Sequence, residues 1–146
     1  MTILFIDDDP EDIELYKEAI SYINASDYFA NAEKKLDCLY LTHCNNIIHY
    51  LTGLTTKPDF IFLDINMPLI SGKECLKMLK KNPEFSKIPI IMLSTTCQVD
   101  DVDDFKALGA IDCVQKPTDF NVLVKIFSKY IYKGYSEYLL KMSQQH

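Results

Sequence analysis

Three carboxylates follow two apolar runs of this 146-residue chain. Asp7 and Asp8 come directly after the run 3–6, and Asp64 comes directly after the run 60–63. Carboxylates held close together repel one another, and a Mg²⁺ ion offsets that repulsion because it prefers oxygen ligands. The three residues therefore predict a Mg²⁺ site. An aspartate in such a site can also act as a nucleophile toward a phosphoryl group.

Two further polar residues complete this arrangement. Ser94 follows the apolar run 90–93, and Lys116 follows the run 113–115. A hydroxyl can donate a hydrogen bond to a phosphoryl oxygen, and an ammonium group stabilises the negative charge on such oxygens. Together with the three carboxylates, they predict a phosphoryl-transfer site in which Asp64 forms an acyl phosphate.

The elements that hold these residues alternate between strand and helix. The strand-like runs are 3–6, 38–42, 60–63, 90–93 and 113–115. Continuous apolar runs are typical of strands buried on both faces of a parallel sheet, and helical patterns between them favour βαβ crossovers. The predicted fold class is α/β, a doubly wound five-stranded parallel sheet of flavodoxin-like order 2-1-3-4-5 with helices on both faces. In that order strands one and three are neighbours, which places their terminal carboxylates face to face.

Capping residues predict several helix boundaries. Asp9 predicts the start of the first helix, and Ser71 begins a capping box at the third. Gly109 predicts the end of the fourth helix, and Thr118 predicts the start of the last one. The segment 26–37 lacks clear periodicity, and we expect an extended connection there.

The composition argues against several classes of protein. The net charge is −6 and all 15 basic residues are lysines, which disfavours nucleic-acid binding. The five cysteines include no C-x-x-C pair, which fits reduced thiols in a cytosol. We expect no signal peptide and no membrane-spanning segment. The sequence thus predicts a cytoplasmic protein that binds neither nucleic acid nor membranes.

Taken in order, these motifs resemble those of a response-regulator receiver domain, the phosphoacceptor half of two-component signalling. The residues that carry the resemblance are Asp7-Asp8, the segment 63–68 with Gly72 after it, Ser94-Thr95 and Lys116-Pro117. Each motif is weak alone, but all four at successive strand ends are specific. They span residues 3 to 117, and the resemblance covers residues 1–133.

The resemblance implies a particular set of Mg²⁺ ligands. Asp8 and Asp64 would bind the ion directly, and Asp7 would act partly through water. The backbone carbonyl of Asn66 would be a further ligand. Asp64 would be the phosphorylated residue.

The resemblance also assigns the remaining residues. Ser94 would be the switch hydroxyl and Lys116 the partner of the phosphate, with a cis peptide bond before Pro117. One position departs from the family, which usually has an aromatic residue three positions before the lysine. Cys113 stands there, and we interpret it as a small core residue rather than a redox group.

The implied function is signalling. The chain would accept a phosphoryl group from a histidine kinase or phosphotransfer protein and catalyse only its own phosphorylation and dephosphorylation. It would then act on a downstream protein by contact, as chemotaxis-type or phosphorelay receivers do. We expect a receiver domain over 1–133 and no output domain in 134–146.

Two other functions are compatible with the motifs. A receiver fold can serve as a phosphorylation-independent interaction module, and Cys113 keeps that alternative open. A Mg²⁺-dependent aspartyl-phosphate phosphatase is the second alternative. Haloacid-dehalogenase-type enzymes have a second acid two residues after the nucleophile, whereas Asn66 stands there.

The C-terminal segment allows two predictions. Apolar and tyrosine residues keep helical spacing through Gly134, which predicts a continuous helix over 119–142. Such a helix would overhang the sheet and present a stripe suited to homodimerisation or partner docking. Alternatively, the helix breaks at Gly134 and the tail folds back on the domain.

Overall fold

Five parallel strands and five helices alternate in the described part of a computed structural model. It describes residues 1–26, 29 and 36–145, with the backbone alone at 99, 135, 138, 139, 141 and 142. The elements are β1 (Thr2–Ile6), α1 (Pro10–Asn24), β2 (Asp37–Leu41), α2 (Ile47–Thr52), β3 (Phe60–Asp64), α3 (Gly72–Lys81), β4 (Ile90–Ser94), α4 (Val99–Ala107), β5 (Asp112–Gln115) and α5 (Phe120–Gln144). The strand order β2-β1-β3-β4-β5 confirms the predicted fold class.

The sheet separates two apolar clusters. Ile3 and Phe5 of β1 pack in the cluster that includes α1 and α5, whereas Leu4 and Ile6 pack in the cluster that includes α2, α3 and α4. All four side chains are buried. Because successive side chains of a strand point to opposite faces, a strand covered on both sides must be apolar throughout. This requirement explains the continuous apolar runs that end at the polar residues.

An aromatic cluster fixes α1 and α5 against the middle of the sheet. The ring of Phe5 lies 5.1 Å from that of Phe62 and 5.4 Å from that of Tyr16, between ring centroids. Phe127 of α5 lies 4.8 Å from Phe62. Aromatic pairs at such distances contribute about 0.5–1.5 kcal/mol each beyond the burial of their area. The cluster therefore holds the first turns of α1 close to the ends of β1 and β3.

Most of the predicted helix boundaries agree with the structure. Asp9 is the N-cap of α1, and its Oδ1 accepts a hydrogen bond from the Glu11 backbone at 2.9 Å. Ser71 caps α3 through the Glu74 backbone N–H at 3.3 Å. Gly109 follows the end of α4 with a φ of 105°, a conformation that suits glycine.

The predicted start of α5 was wrong by one residue. Asp119, not Thr118, caps this helix, since its Oδ1 accepts hydrogen bonds from the backbone N–H groups of Asn121 and Val122 at 2.8 and 3.2 Å. A carboxylate satisfies these free N–H groups and also interacts favourably with the helix dipole, which a hydroxyl does not.

Helix α5 is continuous, so the alternative of a break at Gly134 is wrong. The helix runs for 25 residues, or about 37 Å at 1.5 Å per residue. Gly134 lies where a β-carbon would approach Met1 Sδ and Phe60 Cδ2, both at 3.8 Å. The absent side chain therefore leaves space between the helix and these two residues at this position. Among the described residues, no helix combines the length and apolar character needed to cross a membrane.

The expected extended connection over 26–37 falls mostly outside the described residues. Phe29 and Leu36 within it are buried in the cluster that contains α1 and α5.

Candidate phosphoryl-transfer site

The structure brings the three predicted carboxylates together. β1 and β3 are neighbours in register, with Ile6 opposite Leu63, so the residues that follow them meet at one edge of the sheet. Carboxylate oxygens of Asp7, Asp8 and Asp64 all lie within 4.8 Å of one another. Asp7 and Asp64 are buried and Asp8 is exposed, so the cluster opens to solvent on one side.

Lys116 supplies a positive charge to this cluster. Its Nζ lies 2.8 Å from Asp7 Oδ2 and 3.1 Å from Asp64 Oδ1, and it donates to Asp12 Oδ2 at 2.9 Å. Burial opposes the charge of Lys116, but hydrogen bonds with Asp7 and Asp12 raise its pKa. The ammonium is therefore fixed between three acids. The peptide bond between Lys116 and Pro117 is trans, so the cis bond implied by the resemblance is wrong.

Both oxygens of Asp7 are held by donors of the protein. Oδ1 accepts the backbone N–H of Asp9 at 3.0 Å, and Oδ2 accepts the hydroxyl of Tyr16 at 2.6 Å in addition to its contact with Lys116. Burial, together with the charge of Asp7, raises the pKa of Tyr16, which therefore remains a donor. Asp7 is thus a fixed negative charge whose oxygens are already occupied.

Asp64 is held by fewer donors than Asp7. Its buried Oδ1 forms an ion pair with Lys116 Nζ at 3.1 Å and accepts no other hydrogen bond. Burial and the charge of Asp7 raise the pKa of Asp64 to about 7, and the charge of Lys116 only partly compensates. A buried carboxylate oxygen of this kind is available to a cation or a new covalent bond.

These observations fit a divalent cation held by oxygen ligands. The raised pKa of Asp64 and the three adjacent carboxylates indicate excess negative charge, which Mg²⁺ would neutralise. Since the oxygens of Asp7 are engaged, Asp8 and Asp64 are the residues that would bind the ion directly. Asn66 lies in the loop after β3, where its backbone carbonyl is the further candidate.

Ser94 is the last residue of β4 and is buried, but its hydroxyl has a partner of its own. Oγ donates to the Thr96 carbonyl and accepts the Thr96 backbone N–H at 3.2 Å. A cavity of about 270 Å³ lies next to it, lined by the loops after β3 and β4 and by α3 and α4, including Asn66, Lys73 and Phe105. The Ser94 hydroxyl therefore has space to rotate away from Thr96 and toward this cavity.

The sequence reasoning missed two functional neighbours. Asp12 is a first-turn acid of α1, a position that by itself indicates only a favourable helix dipole, and Tyr16 has the spacing of a core residue. One feature of the sequence could have identified both residues, since α1 begins at the edge of the sheet where Asp7 and Asp8 lie. Residues of its first two turns therefore contact the same cluster.

The chain belongs to the response regulator receiver domain family, whose model matches residues 3–128. It is 32% identical to protein PilH of Pseudomonas aeruginosa over 123 residues, which cover 84% of this chain and 91% of PilH. It is 34% identical to the sensory transduction protein BceR of Halalkalibacterium halodurans over 60% of this chain. That match spans only 36% of BceR.

Solved structures show the same fold. The Mn²⁺-bound form of response regulator Rcp1 has a TM-score of 0.72 at 23% identity, with 88% of this chain and 93% of that chain covered. The phosphorylated cyanobacterial phytochrome response regulator RcpA has a TM-score of 0.73 at 25% identity, with 88% and 89% covered.

Proposed function

We propose that this receiver accepts a phosphoryl group onto the carboxylate of Asp64 in a Mg²⁺-dependent reaction, from a histidine kinase or phosphotransfer protein. The observation that carries the proposal is the buried Asp64 oxygen that is paired with the ammonium of Lys116 and accepts no other hydrogen bond. A downstream protein would recognise the charge of the phosphorylated form through direct contact.

The residues of the site have separate roles in this transfer. An oxygen of Asp64 attacks phosphorus while the bond from phosphorus to the donor imidazole nitrogen breaks, and that nitrogen keeps the electron pair. Lys116 stabilises charge on the phosphoryl oxygens, and Asp7 holds Lys116 in place. A bound divalent cation would neutralise further charge on the phosphoryl group.

Ser94 would take part after transfer. Its hydroxyl would leave the Thr96 carbonyl and donate to a phosphoryl oxygen, because a charged acceptor makes the stronger hydrogen bond. The loop that follows β4 would then lose one of its internal hydrogen bonds. Such a change at the start of α4 is a means of altering the surface that a partner contacts.

Two solved structures of other receivers support the proposal. Rcp1 was crystallised with Mn²⁺ and RcpA in a phosphorylated form. Both share the fold of this chain, so a divalent cation and a phosphoryl group are compatible with it.

The direct test is phosphorylation by a small donor. The protein is incubated with acetyl phosphate and Mg²⁺, and its intact mass is measured with Asp64→Asn and the exposed-acid control Asp103→Asn. One phosphate is expected on the native chain and on Asp103→Asn, and none on Asp64→Asn or without Mg²⁺. No addition to the native chain would contradict the proposal and favour an interaction module. Sustained turnover of phosphate esters would favour a phosphatase.

We also propose that residues 1–133 form the receiver domain of a cytoplasmic protein and that α5 extends from it to contact a second copy or a partner. The continuous helix supports this extension, and Leu140 near its end is 60% exposed. Sedimentation equilibrium of the native chain and Leu140→Lys tests it. We expect the native chain to form a dimer that Leu140→Lys weakens. A dimer that Leu140→Lys leaves unchanged would contradict a contact through this helix.

A further inference from the structure

Two cysteines lie in contact next to the loop that holds the Ser94 hydroxyl. Cys97 is in the loop between β4 and α4, and Cys113 is the second residue of β5. Their sulfur atoms are 3.4 Å apart, and the Cys97 thiol also donates to the Cys113 carbonyl at 3.5 Å. A disulfide has a sulfur–sulfur distance of about 2.05 Å, so the sulfurs need approach by only about 1.4 Å to bond.

The pair differs from the other described cysteines in its access to solvent. Cys97 is half-buried, whereas Cys113 is buried. Cys44 and Cys75 also interact with each other, but both are buried, so a solute in water does not reach them. Cys38 is half-buried and interacts with Tyr40 rather than with a thiol. Among the described residues, only the contact of Cys97 with Cys113 combines a reachable sulfur with an adjacent partner.

We propose that Cys97 and Cys113 form a reversible disulfide when the protein meets a peroxide. The Cys97 thiolate attacks the peroxide, the oxygen–oxygen bond breaks, and a sulfenic acid forms with release of water or an alcohol. The Cys113 sulfur then attacks the Cys97 sulfur, the sulfur–oxygen bond breaks, and water leaves with the Cys113 proton. Two thiols are oxidised and one peroxide is reduced. Cys113 is then more than the small core residue that its sequence position suggested.

The two cysteines have different parts in this reaction. Burial, together with the hydrogen bond from Cys97, raises the pKa of the Cys113 thiol to about 12. Cys113 is therefore a poor first nucleophile toward a solute, because the thiolate is the reactive form. Cys97 is the half-buried sulfur that a solute can reach, and the contact at 3.4 Å places Cys113 where it can attack the sulfenic acid despite its raised pKa.

The bond would restrain the loop that holds the Ser94 hydroxyl. Thr96 precedes Cys97 and holds Ser94 Oγ, and Gln115 Nε2 donates to the Thr95 carbonyl at 3.2 Å. A covalent link from Cys97 to β5 adds to these contacts. In the proposed function Ser94 leaves Thr96 after transfer and stabilises the phosphoryl group, so the oxidised protein is expected to retain less phosphate at steady state. This second statement rests on the proposed function, whereas formation of the disulfide does not.

The test for the disulfide is peptide mapping. The reduced full-length protein is treated with hydrogen peroxide, blocked with N-ethylmaleimide, digested and analysed by mass spectrometry. A linked peptide containing Cys97 and Cys113 is expected, lost with dithiothreitol and absent in Cys97→Ser, whereas the control Cys44→Ser keeps it. Circular dichroism verifies that both variants fold. Oxidation of Cys97 to the sulfinic acid with Cys113 still reduced would overturn the proposal, as would unreacted thiols.

A second measurement addresses the loop. Acetyl phosphate labelling is compared between the reduced and linked forms, with peroxide-treated Cys97→Ser as the control. A phosphorylated fraction several-fold lower in the linked form, restored by dithiothreitol, supports the restraint on Ser94. Equal labelling would overturn that restraint. Absence of labelling in the reduced native chain would contradict the proposed function and leave the linked peptide as evidence for the disulfide alone.

Discussion

A β-carbon at position 72 would overlap the carbonyl oxygen of Asp64, and glycine occupies that position. The Gly72 backbone N–H donates to the Ile65 carbonyl at 2.8 Å, which closes the loop between β3 and α3. This loop follows directly from the residue that we propose to be phosphorylated. The close approach of Gly72 therefore sets the path of the chain as it leaves the site.

Gly72→Ala is expected to destabilise the protein by at least about 1–3 kcal/mol. The new β-carbon would clash with the Asp64 backbone, and rotation of a side chain cannot relieve that clash. Urea denaturation measures the free energy of unfolding. Gly53→Ala is the matched control, since its β-carbon would lie 3.5 Å from the nearest backbone oxygen. A decrease in the free energy of unfolding for Gly53→Ala as large as that for Gly72→Ala would contradict this explanation.

The stability of the metal-free protein is expected to fall as pH rises, owing to Asp64. The folded pKa of about 7 exceeds the usual 3.8, so protonation favours the folded state. This contribution is fully present below pH 3.8 and is lost as pH rises through about 7. Thermal unfolding from pH 5 to 8, without divalent metal, measures it.

Asp64→Asn is the control for that pH dependence, because the amide does not titrate. The variant is expected to lose less stability over this range than the native protein. Adding Mg²⁺ at pH 8 is expected to raise the unfolding temperature of the native protein more than that of the variant, since a ligand that binds only the folded state stabilises it. Parallel pH profiles of the two proteins would refute the role given to Asp64.

Lys116→Met is expected to cost about 3–5 kcal/mol, because it leaves the buried carboxylate of Asp7 without its ion pair. Denaturant titration measures this loss. Lys17→Met removes a pair on the surface and is expected to cost at most about 0.5 kcal/mol. Adding Asp7→Asn to Lys116→Met should recover part of the stability, and failure to recover any would show that the charge of Asp7 is not the cause.

Tyr16→Phe is expected to destabilise the protein by about 1–3 kcal/mol, because the hydroxyl that donates to Asp7 at 2.6 Å is buried with its acceptor. Tyr22→Phe, at a tyrosine that is 65% exposed, should change the stability little. The difference between the two variants in urea denaturation tests the hydrogen bond. Equal stabilities would rule out a structural contribution from it.

Gly134→Ala is expected to stabilise the protein by about 0.5–1 kcal/mol, because alanine favours a helix interior and its methyl group would contact Met1 and Phe60 at ordinary distances. The change in the midpoint of thermal unfolding measures this. A destabilising effect would indicate that α5 bends at this position in solution.

The parallel sheet and the position of the polar cluster at its edge could be predicted because both follow from one property, burial of the strands on two faces, whereas the strand order came from the doubly wound arrangement. The run before Asp64 is apolar throughout, and in a parallel sheet such runs end at a common edge. The contacts within the cluster could not be predicted. Whether Ser94 points to Asp64 or to Thr96 depends on a loop conformation that strand patterns do not encode.

The C-terminal helix shows a second limit of sequence reasoning. Glycine in a helix costs about 1 kcal/mol relative to alanine, which made a break at Gly134 a reasonable alternative. What anchors the helix is packing of Phe127 and Tyr130 on residues of the sheet that are distant in sequence, such as Phe62. Local propensity alone does not include such contacts.

The ammonium of Lys116 joins parts of the chain that are far apart, since its partner Asp12 precedes it by 104 residues. During synthesis or partial unfolding, a chain with β5 detached would keep its acids near one another without their counter-charge. Such a species is electrostatically disfavoured and lacks the cation to which we assign a role in phosphoryl transfer. In the proposed function, transfer to Asp64 would therefore require the complete sheet, and incompletely folded copies would not be phosphorylated.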